Sequence, residues 1–225
     1  MIPLLSSFYF GSVEHYRLLA RYKRVIVDIG EHYVRQSYRT RTGIVGPNGR
    51  QDLSVQVMHD HGRKIHMRDM RLSHAETWPQ QHLHAIRSAY GQTPWFIHYI
   101  DEIEAVVMKR YDRLVDLHMA TITLGMKWLR LETEVLLSEN YVEGNEFRMG
   151  KEGMGPVDYT TPLAERVRLS DLRDPLHPKK PLPPEVTPVQ EYPQVFADRH
   201  GFVPRMSVID LVCNTGPQAL HCLMA

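Results

Sequence analysis

Cysteine is nearly missing from this chain: 225 residues contain only Cys213 and Cys222. Two thiols outside Cys-x-x-Cys spacing make no disulfide framework and no zinc ribbon. They fit free, buried thiols in a reducing compartment. Long apolar runs are missing too. Nothing approaches the roughly 18 uninterrupted apolar residues of a membrane span. The start, MIPLLSSFYFGSVEHYR, lacks the basic region and apolar core of a signal peptide. The expectation is a cytoplasmic protein with no membrane span. Neither sign of charge dominates: 27 Lys and Arg oppose 26 Asp and Glu, for a formal +1. That leaves no electrostatic footprint for nucleic acid. GxGxxG, GxxxxGK[ST] and GxSxG are all absent, so neither a nucleotide loop nor a hydrolase nucleophile elbow is indicated. No cofactor is implied.

What is present is an ordinary globular composition, 43% apolar and 24% charged. The length suits one domain over 1–225. Residues 12–22, SVEHYRLLARY, carry Val13, Tyr16 and Ala20 on one helical face. Residues 24–29, RVIVDI, are short and β-branched and predict a buried strand. Residues 31–42 predict a strand or an irregular ladder. Asn48-Gly49 is a hairpin signal, and Leu53, Val55 and Val57 alternate. Together these predict a small sheet over 24–72. Residues 99–131 hold the longest helical pattern, with a break near Tyr111-Asp112 and a stripe of Leu114, Leu117, Thr121, Leu124 and Trp128. Four glycines in 143–156 predict a mobile loop. Seven prolines in 175–193 predict an extended, semi-rigid surface crossing. Residues 207–223 predict two short helices broken at Gly216-Pro217. The resulting fold class is α+β, a mainly helical single domain with a small N-terminal β-sheet.

The best-marked helix follows Thr77. Ser73 with Glu76 and Thr77 with Gln80 both have capping-box spacing. A start at Ser73 would put Pro79 inside the helix, at a cost of about 3 kcal/mol. A start at Thr77 puts it in the first turn, where it is tolerated. Trp78, His82, Ala85, Ile86 and Ala89 then form one stripe, and Gly91 closes the helix. His84 lies about 200° around from His82 and points away.

His82 on this apolar stripe is either a hydrogen-bonded packing residue or a general base with a pKa near neutrality. Arg39 and Arg41 share a face if their segment is a strand. Two guanidiniums there suit a phosphate or carboxylate; two solvated or salt-bridged arginines are the alternative. His59-Asp60-His61 with His66 is the nearest approach to a metal cluster, yet it lacks a fourth ligand and fits a surface loop, so no metal is expected. Tyr9, Tyr16, Trp78, Tyr90 and Trp95 line an apolar cleft or simply pack. Glu14, Asp28 and Glu31 are the carboxylates available to orient an imidazole. Cys213 sits in an apolar run where a thiol is inert.

Four stretches together resemble the WbqC-like protein family: Tyr9-Phe10-Gly11 with Tyr16; Tyr38 to Ile44, YRTRTGI; Ile65 to Tyr90 with Trp78, His82 and Tyr90; and Tyr192 to Phe196 with His200-Gly201-Phe202 and Ser207 to Ala219. The Gln-Pro that many members carry before the Tyr-Phe pair is here Ser6-Ser7-Phe8, and a proline near residue 56 is Gln56. The resemblance implies a bacterial protein of surface-polysaccharide biosynthesis. It implies N-acyl or aminoacyl (glycine-type) transfer to an amino sugar or similar small amine. On that reading His82 is the base. Arg39 and Arg41 bind an anionic donor or acceptor, and Tyr9, Trp78 and Tyr90 shape the pocket. The partners are then a small-molecule amine or nucleotide sugar, with an acyl-carrier protein as a donor. A non-catalytic interaction protein, binding a carrier or biosynthetic partner through its Gly-rich and Pro-rich segments, is the alternative. The oligomeric state stays open.

Overall fold

The protein is described by a computed structural model covering residues 1–58, 64–150, 153–157 and 161–225. Its frame is a six-stranded mixed sheet, so the mainly helical domain with a small N-terminal sheet is corrected. Strand β1 (Ile2–Leu5) leads through helix α1 (Val13–Arg21) into β2 (Arg24–Asp28). The hairpin β3 (Arg41–Gly46) and β4 (Gly49–Ser54) forms a separate two-stranded sheet. Helices α2 (Trp78–Tyr90), α3 (Ile100–Val107) and α4 (Leu114–Trp128) follow, then β5 (Glu134–Ser138), β6 (Glu146–Gly150), β7 (Gly153–Pro156) and β8 (Arg166–Asp171). The chain ends in α5 (Ala197–His200), α6 (Val208–Thr215) and α7 (Ala219–Met224).

The large sheet runs β5-β2-β1-β8-β6-β7. Strands β5, β2, β1 and β8 are mutually parallel, while β6 and β7 add antiparallel. Alternation sends side chains to opposite faces. Leu5, Val25 and Val27 join the main core, whereas Leu4, Ile26 and Leu169 meet Val142 and Phe147 on the other face. Both faces are covered, as parallel strands require. That explains why β2 reads as a continuous apolar run. The chain enters the sheet at β1, steps outward to β2 and β5, and returns on the other side of β1 as β8. The strand order therefore reverses beside β1, and the carboxyl ends of β1, β2 and β8 lie at one edge. Such a switch point leaves a crevice at that edge of the sheet.

Several expected elements stand where the pattern put them. Helix α2 spans Trp78–Tyr90 between Thr77 and Gly91, with Pro79 in its first turn. The helical signal of 99–131 divides into α3 and α4, with 108–113 between them. The Gly-rich segment differs from the predicted loop, because β6 and β7 pair there as a hairpin, Gly150 opposite Gly153. No helix or strand occupies 175–193, yet the crossing is tied down rather than laid loosely on the surface. Leu176, Val186, Val189 and Tyr192 are buried. Arg17 Nη1 donates to the Pro188 carbonyl at 2.7 Å. Among the described residues, no helix is long and apolar enough to cross a membrane.

The C-terminal helices are fixed by a fully buried carboxylate. Asp210 accepts the Tyr90 hydroxyl at 2.7 Å, the Tyr192 hydroxyl at 2.6 Å and the Gln194 amide at 2.8 Å. Burial still holds its pKa above the ordinary carboxylate value. The same Tyr90 oxygen accepts from the Val45 N–H at 3.1 Å, so one phenol joins α2, α6 and β3. Tyr90→Phe leaves a donor and part of a charge unsatisfied, a loss of about 1–3 kcal/mol. At about 2–4 °C per kcal/mol for a chain of this size, scanning fluorimetry should show a clear drop in Tm.

Candidate functional site

At the carboxyl edge of the parallel strands the chain leaves a row of buried polar side chains. Ser6 and Ser7 follow β1, Asp28 ends β2, Glu31 lies just beyond, and Arg173 follows β8. Asp28 is fully buried and fully used. One oxygen accepts the N–H groups of Gly30 (2.8 Å) and Glu31 (3.0 Å). The other accepts from Val142 N at 3.1 Å and from the Arg173 guanidinium. Arg173 also makes a two-pronged contact with Asp171, at 3.0 and 2.5 Å. The ends of β2 and β8 are thereby locked together. The turn after β2 is tight as well: a Cβ on Gly30 would come within 2.3 Å of the Asn140 and Tyr141 backbone.

Arg39 fills the next position. Its Nε and Nη2 donate to the two oxygens of Glu31 at 2.9 and 2.6 Å, and Nη2 also donates to Ser6 Oγ at 2.7 Å. Only 1% of Arg39 is exposed. Burial pushes the Glu31 carboxyl up, and Arg39 pulls it only part of the way back. Beneath this pair Ser7 Oγ lies 2.9 Å from Nδ1 of His118, which projects from α4. Burial lowers the His118 pKa to about 3, so the ring is neutral.

Above the row opens a cavity of about 420 Å³, lined by Glu31, His32, Tyr141, Asp171, Arg173 and Asp174 among others. Asp171, Asp174 and Tyr141 are exposed, whereas Glu31 reaches the cavity from the buried side. The Arg173 guanidinium sits 4.6 Å from the centroid of the Tyr141 ring. The hollow is rich in carboxylates, with an aromatic wall, and suits a small polar molecule that carries a positive charge.

Of the residues singled out from the sequence, Glu31 lines this cavity and Arg39 is bonded to it; the others lie apart. His82 is 4% exposed. The Tyr9 hydroxyl donates to its Nδ1 at 3.1 Å, and its Nε2–H donates to the Ser54 carbonyl at 3.2 Å. Its ring stands 5.1 Å from Trp78 and 5.6 Å from Tyr9. Both nitrogens are occupied, which is the hydrogen-bonded packing alternative. Arg41 opens β3 opposite Ser54, the same residue that holds His82. Arg39 precedes the strand and turns to Glu31 instead, so the two arginines do not share a strand face. Trp78 Nε1 donates to the Ser73 carbonyl at 3.0 Å, and Tyr90 is committed to Asp210. His84 is exposed, as its position on the helix requires. His59, Asp60 and His61 lie outside the described residues. His66 Nδ1 meets the Gly30 carbonyl at 2.5 Å and its ring stacks on His32. Among the described residues no group of three His, Cys, Asp or Glu is placed to hold a metal. Cys213 is buried, and burial pushes its thiol up, away from the reactive thiolate.

The sequence reading missed Ser6, Ser7, His118, Asp171 and Arg173. The signal common to Ser6, Ser7, Asp171 and Arg173 is position at the carboxyl ends of strands, which becomes visible only once β1 and β8 are recognised. Ser7 was available as a polar residue closing the apolar run Ile2–Leu5. His118, with Leu114 and Leu117, was available as an inward residue of the α4 stripe.

A titration separates a packing His82 from one open to solvent. Burial lowers its pKa to about 4, below the unfolded value of about 6.5. Between those values the unfolded chain binds more protons, so the contribution of His82 is full above pH 6.5 and is lost as pH falls toward 4. His82→Gln retains an acceptor for Tyr9 and a donor for Ser54 but cannot titrate. The variant should lose less Tm than the wild type between pH 6.5 and 4. Parallel Tm–pH curves for the two proteins would show that the ring is not buried neutral.

Comparison with known proteins adds one finding. The sequence model of the WbqC-like protein family matches residues 7–166. The match takes in β2 and the Glu31–Arg39 pair as well as α2 and α4. No curated protein and no solved structure matches the chain. By that match, which spans well over half of its length, the chain belongs to the WbqC-like protein family.

Proposed function

We propose that this protein transfers an acyl or aminoacyl group to the amine of a small polar acceptor, such as an amino sugar, in the building of a surface polysaccharide. Family membership supports the setting. The observation that carries the chemistry is the carboxylate-lined cavity over the switch point. An ammonium acceptor enters opposite Asp174 and Asp171, with its ring against Tyr141. Glu31, held above the ordinary carboxylate range by burial, removes a proton from the bound amine. The freed nitrogen then attacks the carbonyl carbon of an activated donor such as a thioester. The C–N bond forms, the C–S bond breaks, and the thiol leaves. On this reading the base is Glu31, which lines the cavity, rather than His82, which does not and whose two nitrogens are hydrogen-bonded. Before the donor binds, Arg39 holds Glu31 in place, and Arg41, Trp78, Tyr9 and Tyr90 lie away from the cavity.

The test is product formation by mass spectrometry, with aminoacyl and acyl thioesters as donors and amino-sugar nucleotides as acceptors. Glu31→Gln removes the base but keeps a group that bonds Arg39. A general base is worth about 10²–10⁴ in rate, so kcat should fall at least 100-fold. Asp174→Asn should raise KM for the amine and leave kcat near the wild-type value. On the acid side, kcat/KM should fall as Glu31 protonates, at a pH above the ordinary carboxylate value of about 4.3. Turnover by Glu31→Gln at the wild-type rate would remove the carboxylate from the mechanism.

A further inference from the structure

His118 differs from His82. His118 Nδ1 meets the Ser7 hydroxyl at 2.9 Å, while Nε2 is enclosed and, among the described residues, makes no hydrogen bond of ordinary geometry, with the Arg39 carbonyl as the backbone group acting on the ring. It has company. Both nitrogens of His15, one oxygen of Glu14 and the Tyr38 hydroxyl are also buried and unpartnered among the described residues. These residues are neighbours. Phe8 lies 5.0 Å from the His15 ring and 5.6 Å from the Tyr38 ring. The charges of His15 and Arg39 bear on His118, and that of Glu14 on Tyr38. Each buried polar atom left without a partner costs about 1–3 kcal/mol. A concentration of them in one place calls for an explanation such as catalysis or an absent ligand.

We propose that Ser7 is a nucleophile activated by His118, and that the transfer proceeds through an acyl-Ser7 intermediate. The inference rests on the transferase reading above and adds a covalent step to it. Ser7 lies two residues past the carboxyl end of β1, at the switch point itself. The Arg39 carbonyl favours a proton on the ring. A proton on Nε2 leaves Nδ1 free to accept from Ser7, the tautomer a general base needs. The ring is neutral at working pH, so it has a lone pair to use.

The step balances. Ser7 Oγ bonds to the thioester carbonyl carbon and its proton passes to His118 Nδ1. The Arg39 guanidinium, at Ser6 Oγ, supplies positive charge beside the developing oxyanion. The C–S bond breaks, and the thiolate leaves with the proton from His118. The acceptor ammonium then gives one proton to Glu31 and attacks the ester as the free amine; its second proton passes through His118 to Ser7 Oγ, which departs as the hydroxyl. Ser7 is fully buried, and its neighbour Ser6 is bonded to Arg39, the partner of the cavity-lining Glu31. An anionic donor that takes the place of Glu31 on Arg39 replaces one charge-assisted contact by another and opens the way inward.

Two probes test this without knowledge of the natural substrates. The full chain is incubated with an acetyl thioester of N-acetylcysteamine in the absence of amine, and separately with a fluorophosphonate. Peptide mass spectrometry locates any adduct. The expected result is one acetyl or one phosphonyl group on Ser7. It should be absent in Ser7→Ala and form at least ~100-fold more slowly in His118→Gln, both variants keeping the wild-type near-UV circular dichroism. Ser7→Thr, which keeps a hydroxyl, should restore part of the labelling if Ser7→Ala fails to fold. An unlabelled Ser7 with both probes, or amide formation by Ser7→Ala at the wild-type rate, overturns the nucleophile. A labelled Ser7 together with no amide product from any acceptor keeps the nucleophile and removes the transferase reading.

Discussion

A single guanidinium holds the site together. Arg39 is enclosed, so its charge must be matched on the spot, and Glu31 does this through two parallel hydrogen bonds. Such a fork is the geometry that arginine supplies and lysine does not. The pair does more than neutralise itself. Glu31 comes from the turn after β2, Arg39 from the segment before β3, and Ser6 from the end of β1. Three pieces of chain, from two separate sheets, are therefore held at one point. Removing either partner of a buried pair costs about 3–5 kcal/mol, because the other is left charged in a dry place. The placement of Ser6 and Glu31 follows from this contact, which also offsets part of the rise that burial gives the Glu31 pKa.

The helices were legible in the sequence because their signals are local. Thr77, Pro79 and Gly91 fix both ends of α2 within a few residues, and the stripe of α4 repeats over four turns. The sheet was not legible for the opposite reason. Strand β1 is four residues long and contains Pro3, which removes a backbone donor. Strand β5 follows directly on a long helical pattern and reads as its tail. Strands β6 and β7 owe their pairing to partners rather than to side-chain alternation, and their glycines suggest a loop. A parallel strand is recruited across a long separation, Leu4 beside Ile26 and Asp171, so nothing close in sequence announces it. With β1 and β8 unseen, the switch point between them could not be placed, and the site residues on it had no common context.

Two histidines on apolar helix faces illustrate the same limit. Both His82 and His118 are buried, and burial lowers the pKa of each. Periodicity brings each of them inward and stops there. What differs is the far end of the ring. His82 sits against a tyrosine and a carbonyl that use both nitrogens; His118 has a serine on one side and no hydrogen bond of ordinary geometry on the other. The family motifs mark Trp78, His82 and Tyr90 together, and the structure gives those three a shared task. His82 and Tyr90 fasten α2 to the hairpin and to the C-terminal helices through Ser54, Val45 and Asp210, while Trp78 ties the start of α2 to Ser73 and packs on the His82 ring.

That fastening also explains why the Pro-rich crossing belongs to the site's architecture. Arg205 donates to the carbonyls of His177 and Lys180, both at 2.7 Å, and its guanidinium stands 5.9 Å from the Tyr38 ring. Tyr38 is the residue beside Arg39. The crossing begins at Arg173 and Asp174 in the cavity wall and is clamped again, through Arg205, over the Tyr38–Arg39 turn. Proline limits the conformations the segment can lose on folding, which lowers the entropic cost of holding it there. A glycine-rich strap of equal length would need more contacts to stay in place. The prolines therefore serve to keep a wall of the cavity in position with few hydrogen bonds, which leaves Asp174 and Tyr141 facing the opening.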